Sequence, residues 1–590
     1  MRIAVVEGER CRPEKCDAVC VRFCPMVRSR KEAIRVEGDR AYVAEHLCSG
    51  CGICVRKCPF QALKVVNLPD ELGSDLIHRF GPNTFALYRL PTPRRGAVVG
   101  LLGRNGMGKT LALKILSGEL TPNLGSYEDP PSKEEILRGF AGLPIHDYLM
   151  DLYQKRVKAV YKPQYVDLIP KAVSGRVGDV LSRLDERGAL RGMVEALELG
   201  GVLDRSFDVL SGGELQRVAI AAAACRDADV YLFDEPSSHL DIYQRMNAAK
   251  VIRSLTADGR MVLVAEHDLA VLDYLSDDMF IFYGEPGVYG IVSKVHGVRE
   301  GINIYIRGYI PDENIRFREA PIAFHVKPPT QPPARMRPLL RWSELRKSYG
   351  DFSLTVEPGE IGEGEVIGVL GKNGVGKTTF VKMLAGLETP DEGSVTCGEV
   401  RMSYKPQYLT GTMEGRVEEI LKEAAGRRFE ESWFSAEIIE PLNLRRLLDR
   451  DVEDLSGGEL QRVAIARCLS AEAEIYLLDE PSAYLDVEER LSMARAIRRI
   501  NKMNGSTAIV VEHDIVAQDF IADRLMIFTG QSGLRGLGGR PQRLEDGMNS
   551  FLKEMGITFR RDPDTKRPRV NKEGSKLDRE QKREGRYYYA

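Results

Sequence analysis

The octapeptide Leu-Ser-Gly-Gly-Glu-Leu-Gln-Arg occurs twice, at 210–217 and at 455–462, and the sequence around each copy repeats with it. A glycine-rich loop precedes each copy: Gly103-Arg-Asn105-Gly106-Met-Gly108-Lys109-Thr110 in the first half, Gly371-Lys-Asn373-Gly374-Val-Gly376-Lys377-Thr378 in the second. Ser211 lies 24 residues before Glu235, and Ser456 lies 24 before Glu480. His267 follows Glu235 by 32 residues and His513 follows Glu480 by 33. Gln164 and Gln407, each inside Tyr-Lys-Pro-Gln-Tyr, precede the serines by 47 and 49. One interval breaks the register. Lys109 to Gln164 spans 55 residues but Lys377 to Gln407 only 30, so the first half carries an insertion of 25. Matched spacings of this kind require two copies of one structural unit in the chain.

At 590 residues the chain has room for several domains, each with its own core. Charged residues make up 29% and cancel to a net charge of −2, which excludes a global basic field of the nucleic-acid-binding type. No apolar run approaches 18 residues, and the first residues lack a signal-peptide pattern. The expectation is a soluble, cytoplasmic protein without a membrane partner.

Each glycine loop follows a β-branched apolar run, Ala97–Leu102 or Glu365–Leu370, and opens into a helical pattern. That is the strand–loop–helix setting in which backbone N–H groups cradle polyphosphate. Lys109 and Lys377 supply point charges, and the hydroxyls of Thr110 and Thr378 suit Mg²⁺. The apolar runs 230–233 and 475–478 read as buried parallel strands. They deliver Asp234 and Asp479 to the Mg²⁺ shell and set Glu235 and Glu480 beside an attacking water. His267 and His513, in register in the two halves, are expected to sense the γ-phosphate. Gln164 and Gln407 are further candidate Mg²⁺ ligands.

Eight of eleven cysteines lie before residue 59. One run, Cys48-x2-Cys51-x2-Cys54-x3-Cys58-Pro59, has the spacing of a bacterial-type [4Fe–4S] ferredoxin, and Cys11-x4-Cys16-x3-Cys20-x3-Cys24-Pro25 is a looser variant. Two zinc ions or disulfides are the other readings. The Cys-Pro endings fit a ferredoxin better than zinc knuckles, and a cytosolic setting disfavours disulfides. The resemblance to two-cluster ferredoxins implies crossed ligation: Cys11, Cys16, Cys20 and Cys58 on one [4Fe–4S] cluster, Cys24, Cys48, Cys51 and Cys54 on the other. No other redox motif is present, so a structural or mechanical role is expected. Cys225, Cys397 and Cys468 read as ordinary thiols.

Together these motifs resemble ABC-type ATPase cassettes. The fold class expected is α/β, two P-loop cassettes arranged head-to-tail plus a small α+β ferredoxin-like domain. The resemblance implies that each signature caps the nucleotide of the opposite cassette. Ser456 and Gly458 would then face Lys109, Gln164, Asp234, Glu235 and His267, while Ser211 and Gly213 would face Lys377, Gln407, Asp479, Glu480 and His513. Phe80 and Tyr349, in matching places, are candidate adenine platforms, or else pack at a strand edge. Leu111 stands where the second loop has Thr379, which removes one phosphate-binding hydroxyl and predicts inequivalent sites.

Across its whole length the chain resembles the E subfamily of ABC proteins, the ribosome-recycling or RNase L inhibitor family. Stretches carrying this include Tyr161–Asp167, Val298–Asn303, Asp312–Arg318, Ile557–Pro563 and the segments ending at Asp241 and Asp486. The resemblance implies an iron–sulfur domain at 1–75, a first cassette at 76–295 with a helix–loop–helix insertion near 126–158, a hinge at 296–335, a second cassette at 336–540 and a second hinge at 541–590. It implies ATP hydrolysis driving ribosome splitting after termination, with the small ribosomal subunit, its rRNA and a release factor as partners, and a monomer whose cassettes form an internal pseudo-dimer. From Phe559 onward eleven Lys/Arg face six Asp/Glu, read either as a solvated tail or as an rRNA contact. The competing expectation is a ribosome-assembly or redox-sensing ATPase that does not split subunits.

Overall fold

The computed structural model describes residues 2–6, 10–67, 75–324, 337–409, 411 and 413–588. The parts of the expected iron–sulfur domain at 68–74 and of the first hinge at 325–335 lie outside them.

Five parallel strands form the centre of each cassette. In the first they run Ala159–Lys162, Val230–Asp234, Met261–Ala265, Val98–Gly103 and Asp278–Glu285. In the second the order is Met402–Lys405, Ile475–Asp479, Thr507–Val511, Val366–Gly371 and Arg524–Gln531. Every residue of Val230–Asp234 and Ile475–Asp479 is buried, because helices cover both faces; hence the unbroken apolar runs. Each sheet continues through three further strands, Tyr289–Val292, Ala86–Tyr88 and Leu76–Arg79 in one cassette, Arg535–Gly538, Phe352–Val356 and Leu345–Tyr349 in the other. The glycine loops and acidic pairs fall at the carboxyl ends of neighbouring strands, the general location of ligand crevices in open α/β sheets.

The halves differ in what is added. The second cassette carries a three-stranded sheet of Gly359–Gly362, Pro338–Trp342 and Val395–Cys397. The first carries helices Lys133–Gly139 and His146–Tyr153. Ser132 and Glu135 close a capping box at the start of the former, and Ile136, Phe140, Tyr148 and Leu149 bury against the cassette core.

The cysteine-rich head pairs Arg2–Val6 with Leu63–Asn67 and Ile34–Glu37 with Arg40–Val43, with helices of four or five residues between. It rests on the first cassette. Ile3, Val5 and Val66 cluster with Val288, Lys64 reaches Glu285 at 3.1 Å, and Arg79 reaches Glu45 at 3.0 Å. The helix Val298–Arg307 lies between the cassettes. So do the helix Leu544–Met555, the hairpin Phe559–Arg561/Pro568–Val570 and the helix Lys576–Glu584. One apolar cluster runs through this seam from Ile302 and Tyr305 to Val487, Ile515, Phe551 and Phe559. The basic C-terminal run is therefore no solvated tail. Arg561, Arg567 and Arg569 are held in ion pairs within the molecule, with the Arg567 side chain wholly buried, which leaves fewer charges free for rRNA.

Candidate functional site: two nucleotide sites across one seam

Gly108 and Gly376 adopt φ of +89° and +93° directly before helices Lys109–Ser117 and Lys377–Leu384, a backbone that other residues strain to reach. The turn brings each lysine back over its own loop. Lys109 Nζ donates to the carbonyls of Gly103 and Arg104 at 2.8 and 2.9 Å, and Lys377 Nζ to those of Gly371 and Lys372 at 2.9 and 2.6 Å. Burial pushes both ammonium groups down from their ordinary pKa, which favours an incoming polyanion.

At the carboxyl end of Val230–Asp234, Thr110 Oγ1 donates to Asp234 at 2.7 Å. Gln164 Nε2 donates to Glu235 Oε1 at 2.8 Å, and His267 Nε2 lies 3.2 Å from the same oxygen. In the second half His513 Nε2 lies 3.2 Å from Glu480 Oε1, and Gln407 hydrogen-bonds the same carboxyl. Burial alone would raise both glutamates. The hydrogen bond and charge of the histidine, with the nearby lysine and glutamine, overcome it and bring each down to about 2. Glu235 and Glu480 sit at φ of +46° and +44°, strained values for a side-chain-bearing residue and a mark of sites where geometry is imposed by function. The structure thus gathers Lys109, Thr110, Gln164, Asp234, Glu235 and His267 at one site and their counterparts at the other.

Burial raises Asp234 and Asp479. Asp234 Oδ1 and both oxygens of Asp479 are buried without hydrogen-bond partners. Buried carboxylate oxygens with no partner are costly, and a divalent cation beside Thr110 or Thr378 would relieve them, so the residues fit Mg²⁺.

The seam is crossed by contacts absent from the sequence-based candidates. Asp486 Oδ2 accepts from Asn105 N at 3.1 Å, and Asp241 Oδ2 accepts from Asn373 N at 2.8 Å, so each glycine loop touches the opposite cassette. His239 and Tyr484 meet edge-to-face with centroids 6.0 Å apart. The signature serines behave differently. Ser211 and Ser456 are exposed and cap their own helices, Gly212–Cys225 and Gly457–Ser470, through boxes with Glu214 and Glu459. Among the described residues no hydrogen bond joins either serine to the opposite glycine loop. Gly213 and Gly458 pack on their own cassettes, where an added Cβ would fall 2.9 Å from the carbonyls of His239 and Tyr484. Lys162 and Lys405 donate to the Asp234 and Asp479 carbonyls at 3.0 and 2.7 Å. Gln216 and Gln461 donate to the carbonyls of Glu235 and Glu480 at 2.7 and 2.8 Å. All eight of these additional residues lie inside duplicated segments, which was the signal that could have found them.

Phe80 and Tyr349 are 61% and 43% exposed; Phe80 directly follows the edge strand Leu76–Arg79, and Tyr349 ends the edge strand Leu345–Tyr349. Phe80 is held edge-on by His78, and Tyr349 donates to Glu388. Leu111 is buried where Thr379 is half-buried.

All eleven cysteines of the chain, the eight in the head among them, are free of disulfides. Cys11, Cys16, Cys20 and Cys58 line one pocket, the set expected for a crossed cluster. Among the described residues no three His, Cys, Asp or Glu side chains converge on a single-ion site. Ligands spread around a cavity fit a larger group. Backbone N–H groups of Ala41 and Ala62 point at Cys11 and Cys58 Sγ at 3.3 Å, and those of Ala4 and Gly50 at Cys48 Sγ at 3.3 and 3.4 Å, donors suited to thiolate charge. Cys54 is buried and its thiol is pushed up to about 12 by burial, beside Cys48, Cys51 and Cys20.

Comparison with known proteins agrees with this geometry. A family model described as ABC transporter matches residues 92–238 and 353–483. A possible Fer4-like domain in RNase L inhibitor matches 1–32, and a 4Fe-4S binding domain matches 41–64. An uncharacterized ABC transporter ATP-binding protein of Methanocaldococcus jannaschii is 52% identical, covering 100% of this chain and 98% of its own. ABC transporter E family member 1 of Arabidopsis thaliana is 46% identical, again over 100% of this chain and 98% of its own. The chain belongs to the E family of ABC proteins. Among solved structures, a model of ribosome-bound archaeal Pelota and ABCE1 superposes with TM-score 0.93 at 53% identity, covering 100% of this chain and 99% of that one. The archaeal ribosome recycling factor aABCE1, in complex with the ribosomal stalk protein aP1, gives TM-score 0.85 at 54% identity over 88% and 100%. This E-family chain is accordingly an ATP hydrolase with an iron–sulfur-binding head, and no described helix is long and apolar enough to cross a membrane.

Proposed function

We propose that this protein splits ribosomes into subunits after termination, using ATP bound at both sites to close the cassettes. The observation that carries the reading is the pair of contacts Asn105–Asp486 and Asn373–Asp241, which make each phosphate loop a sensor of the opposite cassette. Polyphosphate at Lys109 and Lys377 would draw the exposed Ser456 and Ser211 helix ends across the seam, since helix N-termini favour negative charge. Moving such an equilibrium from 1:99 to 99:1 takes about 5.5 kcal/mol of differential binding. Glu235 and Glu480, each oriented by its glutamine and histidine, would then align the attacking water, and hydrolysis would release the halves. Thr110 with Gln164 and Asp234, or Thr378 with Gln407 and Asp479, would hold Mg²⁺, which would supply charge neutralisation at the phosphates.

Closure reaches the head through one turn. Gly287 N donates to Gly106 O of the first phosphate loop at 3.0 Å, while the adjoining Glu285 and Val288 hold Lys64 and the Ile3–Val5–Val66 cluster. Two [4Fe–4S] clusters, ligated by Cys11, Cys16, Cys20 and Cys58 and by Cys24, Cys48, Cys51 and Cys54, would stiffen that head into a lever. The partners would be the small ribosomal subunit with its rRNA, reached in part by the helices near 126–158, and a release factor. The setting would be cytoplasmic. The deciding experiment is sedimentation of purified ribosomes with the protein, its termination factor and ATP. Subunits that appear only with ATP and intact cysteines are expected; intact ribosomes, with the protein at the top of the gradient, would overturn the reading in favour of an assembly or redox-sensing ATPase.

A further inference from the structure

Six residues after each switch histidine the chain has an aspartate, Asp273 after His267 and Asp519 after His513. Each pair is joined by a short helix whose first turn is capped by the residue next to the histidine. Asp268 accepts from Ala270 and Val271 N at the start of Leu269–Leu275, and Asp514 accepts from Ala517 N at the start of Ile515–Ile521. The histidine and the aspartate therefore move with one rigid element, and the two elements pack against each other across the seam.

Both aspartates are gripped by the same C-terminal hairpin. Arg569 Nε and Nη2 donate to Asp273 at 2.9 and 2.7 Å, and Arg567 Nη1 joins at 3.2 Å. On the other cassette Arg561 makes a two-pronged pair with Asp519 at 2.6 and 2.7 Å, and Tyr588 donates to the same carboxylate. Arg561 pairs with Pro568 in the hairpin register, one residue from both Arg567 and Arg569. The hairpin is anchored in turn to the linker between cassettes, through Asp562 with Arg299 at 3.2 Å and Asn303 at 3.1 Å. Asp273 and Asp562 side chains are wholly buried, and Asp519 nearly so. A guanidinium fork on a buried carboxylate fixes orientation as well as distance. The grips are unequal: two guanidinium groups on the first helix, one and a phenol on the second.

We propose that the hairpin Phe559–Val570 is a strut that sets the two switch-histidine helices relative to each other, making Asp273 and Asp519 positioning residues through which hydrolysis at one nucleotide site is coupled to the other. The proposal rests on the hydrolytic roles given above to Glu235, Glu480 and the two histidines. Displacement of His267 on hydrolysis would be passed through Asp273, the hairpin and Asp519 to His513, and the reverse path is equally available.

The test uses the full-length chain with its clusters and measures ATP turnover. Glu235→Gln and Glu480→Gln each leave one working site, and the departure of that site's rate from half the two-site rate is the coupling factor. We expect a factor of at least about fivefold with the native hairpin. Arg561→Gln should bring it to within about twofold of one, with the KM for ATP little changed, and Arg561→Lys, which keeps the charge but loses the fork, should lie between. A merely structural Arg561 would lower the melting temperature and leave the factor unaltered, which overturns the proposal, as does a native factor of one. If Arg561→Gln does not fold, the Lys variant decides on the same criterion. If the double variant Glu235→Gln/Glu480→Gln keeps the native turnover, the site reading itself has failed and takes the strut with it.

Discussion

The two nucleotide sites are built from the same motifs but hold their cation-facing aspartates differently. At the first, Thr110 and Tyr161 both donate to Asp234, at 2.7 and 3.2 Å. At the second, both carboxylate oxygens of Asp479 and the corresponding Tyr404 hydroxyl are buried without hydrogen-bond partners. The surroundings differ in step. The first glycine loop is bonded to a turn that seats the cysteine-rich head, whereas the equivalent Gly533–Gly374 bond in the second cassette leads to no such domain. Duplication therefore preserved the groups that meet phosphate, while the supports behind them diverged where each cassette acquired a different neighbour.

The sharpest way to break this comparison is to remove one water-orienting carboxylate at a time. Glu235→Gln and Glu480→Gln should each slow hydrolysis at their own site by about 10²–10⁴-fold and trap nucleotide with the cassettes closed. Residual phosphate release should be unequal between the two variants. Equal rates would show that the different aspartate supports are without kinetic consequence.

Acid titration probes what the sites share. Each glutamate is lowered on folding from an ordinary value of 4.5 to about 2. A depressed carboxyl stabilises the fold above its unfolded pKa and loses that contribution as pH falls, here between about 4.5 and about 2. The effect is on the order of 3 kcal/mol per site. Melting temperatures taken from pH 5 to pH 2 should fall more steeply for the native chain than for either glutamine variant. Parallel curves would refute the assigned histidine–glutamate pairing.

The smallest effect concerns the signature loops. A methyl group at Gly213 or Gly458 meets a backbone carbonyl at 2.9 Å in either cassette. Gly213→Ala and Gly458→Ala should each cost about 1–3 kcal/mol of stability, by similar amounts, in thermal unfolding. A large difference would reveal that the His239 and Tyr484 loops yield unequally.

Much of this site was legible because duplication turns spacing into a measurement. Lys109, Gln164, Asp234, Glu235 and His267 could be matched to their counterparts without coordinates, and the structure sets the glutamine and histidine of each set against its glutamate, with the lysine charge nearby. Asp241 and Asp486 end two of the segments that carry the family resemblance, but spacing alone shows no partner for either across the seam. In the fold each also caps its own helix, accepting from Gln244 N and Glu489 N. For the basic C-terminal run the sequence left a solvated tail and an rRNA contact open. A charge count carries no partner, and the carboxylates that bury Arg567 and Arg569 lie some 290 residues earlier, at Asp273.

The two cassettes, the insertion in the first, the iron–sulfur head and the chemistry each motif can perform are all written in the linear chain. These follow from local patterns: the glycines a phosphate loop needs, the apolar run a doubly covered strand needs, the cysteine spacing a cluster needs. Which groups face one another across the seam emerges only in the folded molecule. The contacts of Asp486 with Asn105, of Asp241 with Asn373 and of the hairpin arginines with Asp273 and Asp519 join residues far apart in the chain. Their energies depend on burial and relative orientation, and neither quantity exists until the cassettes have folded and met.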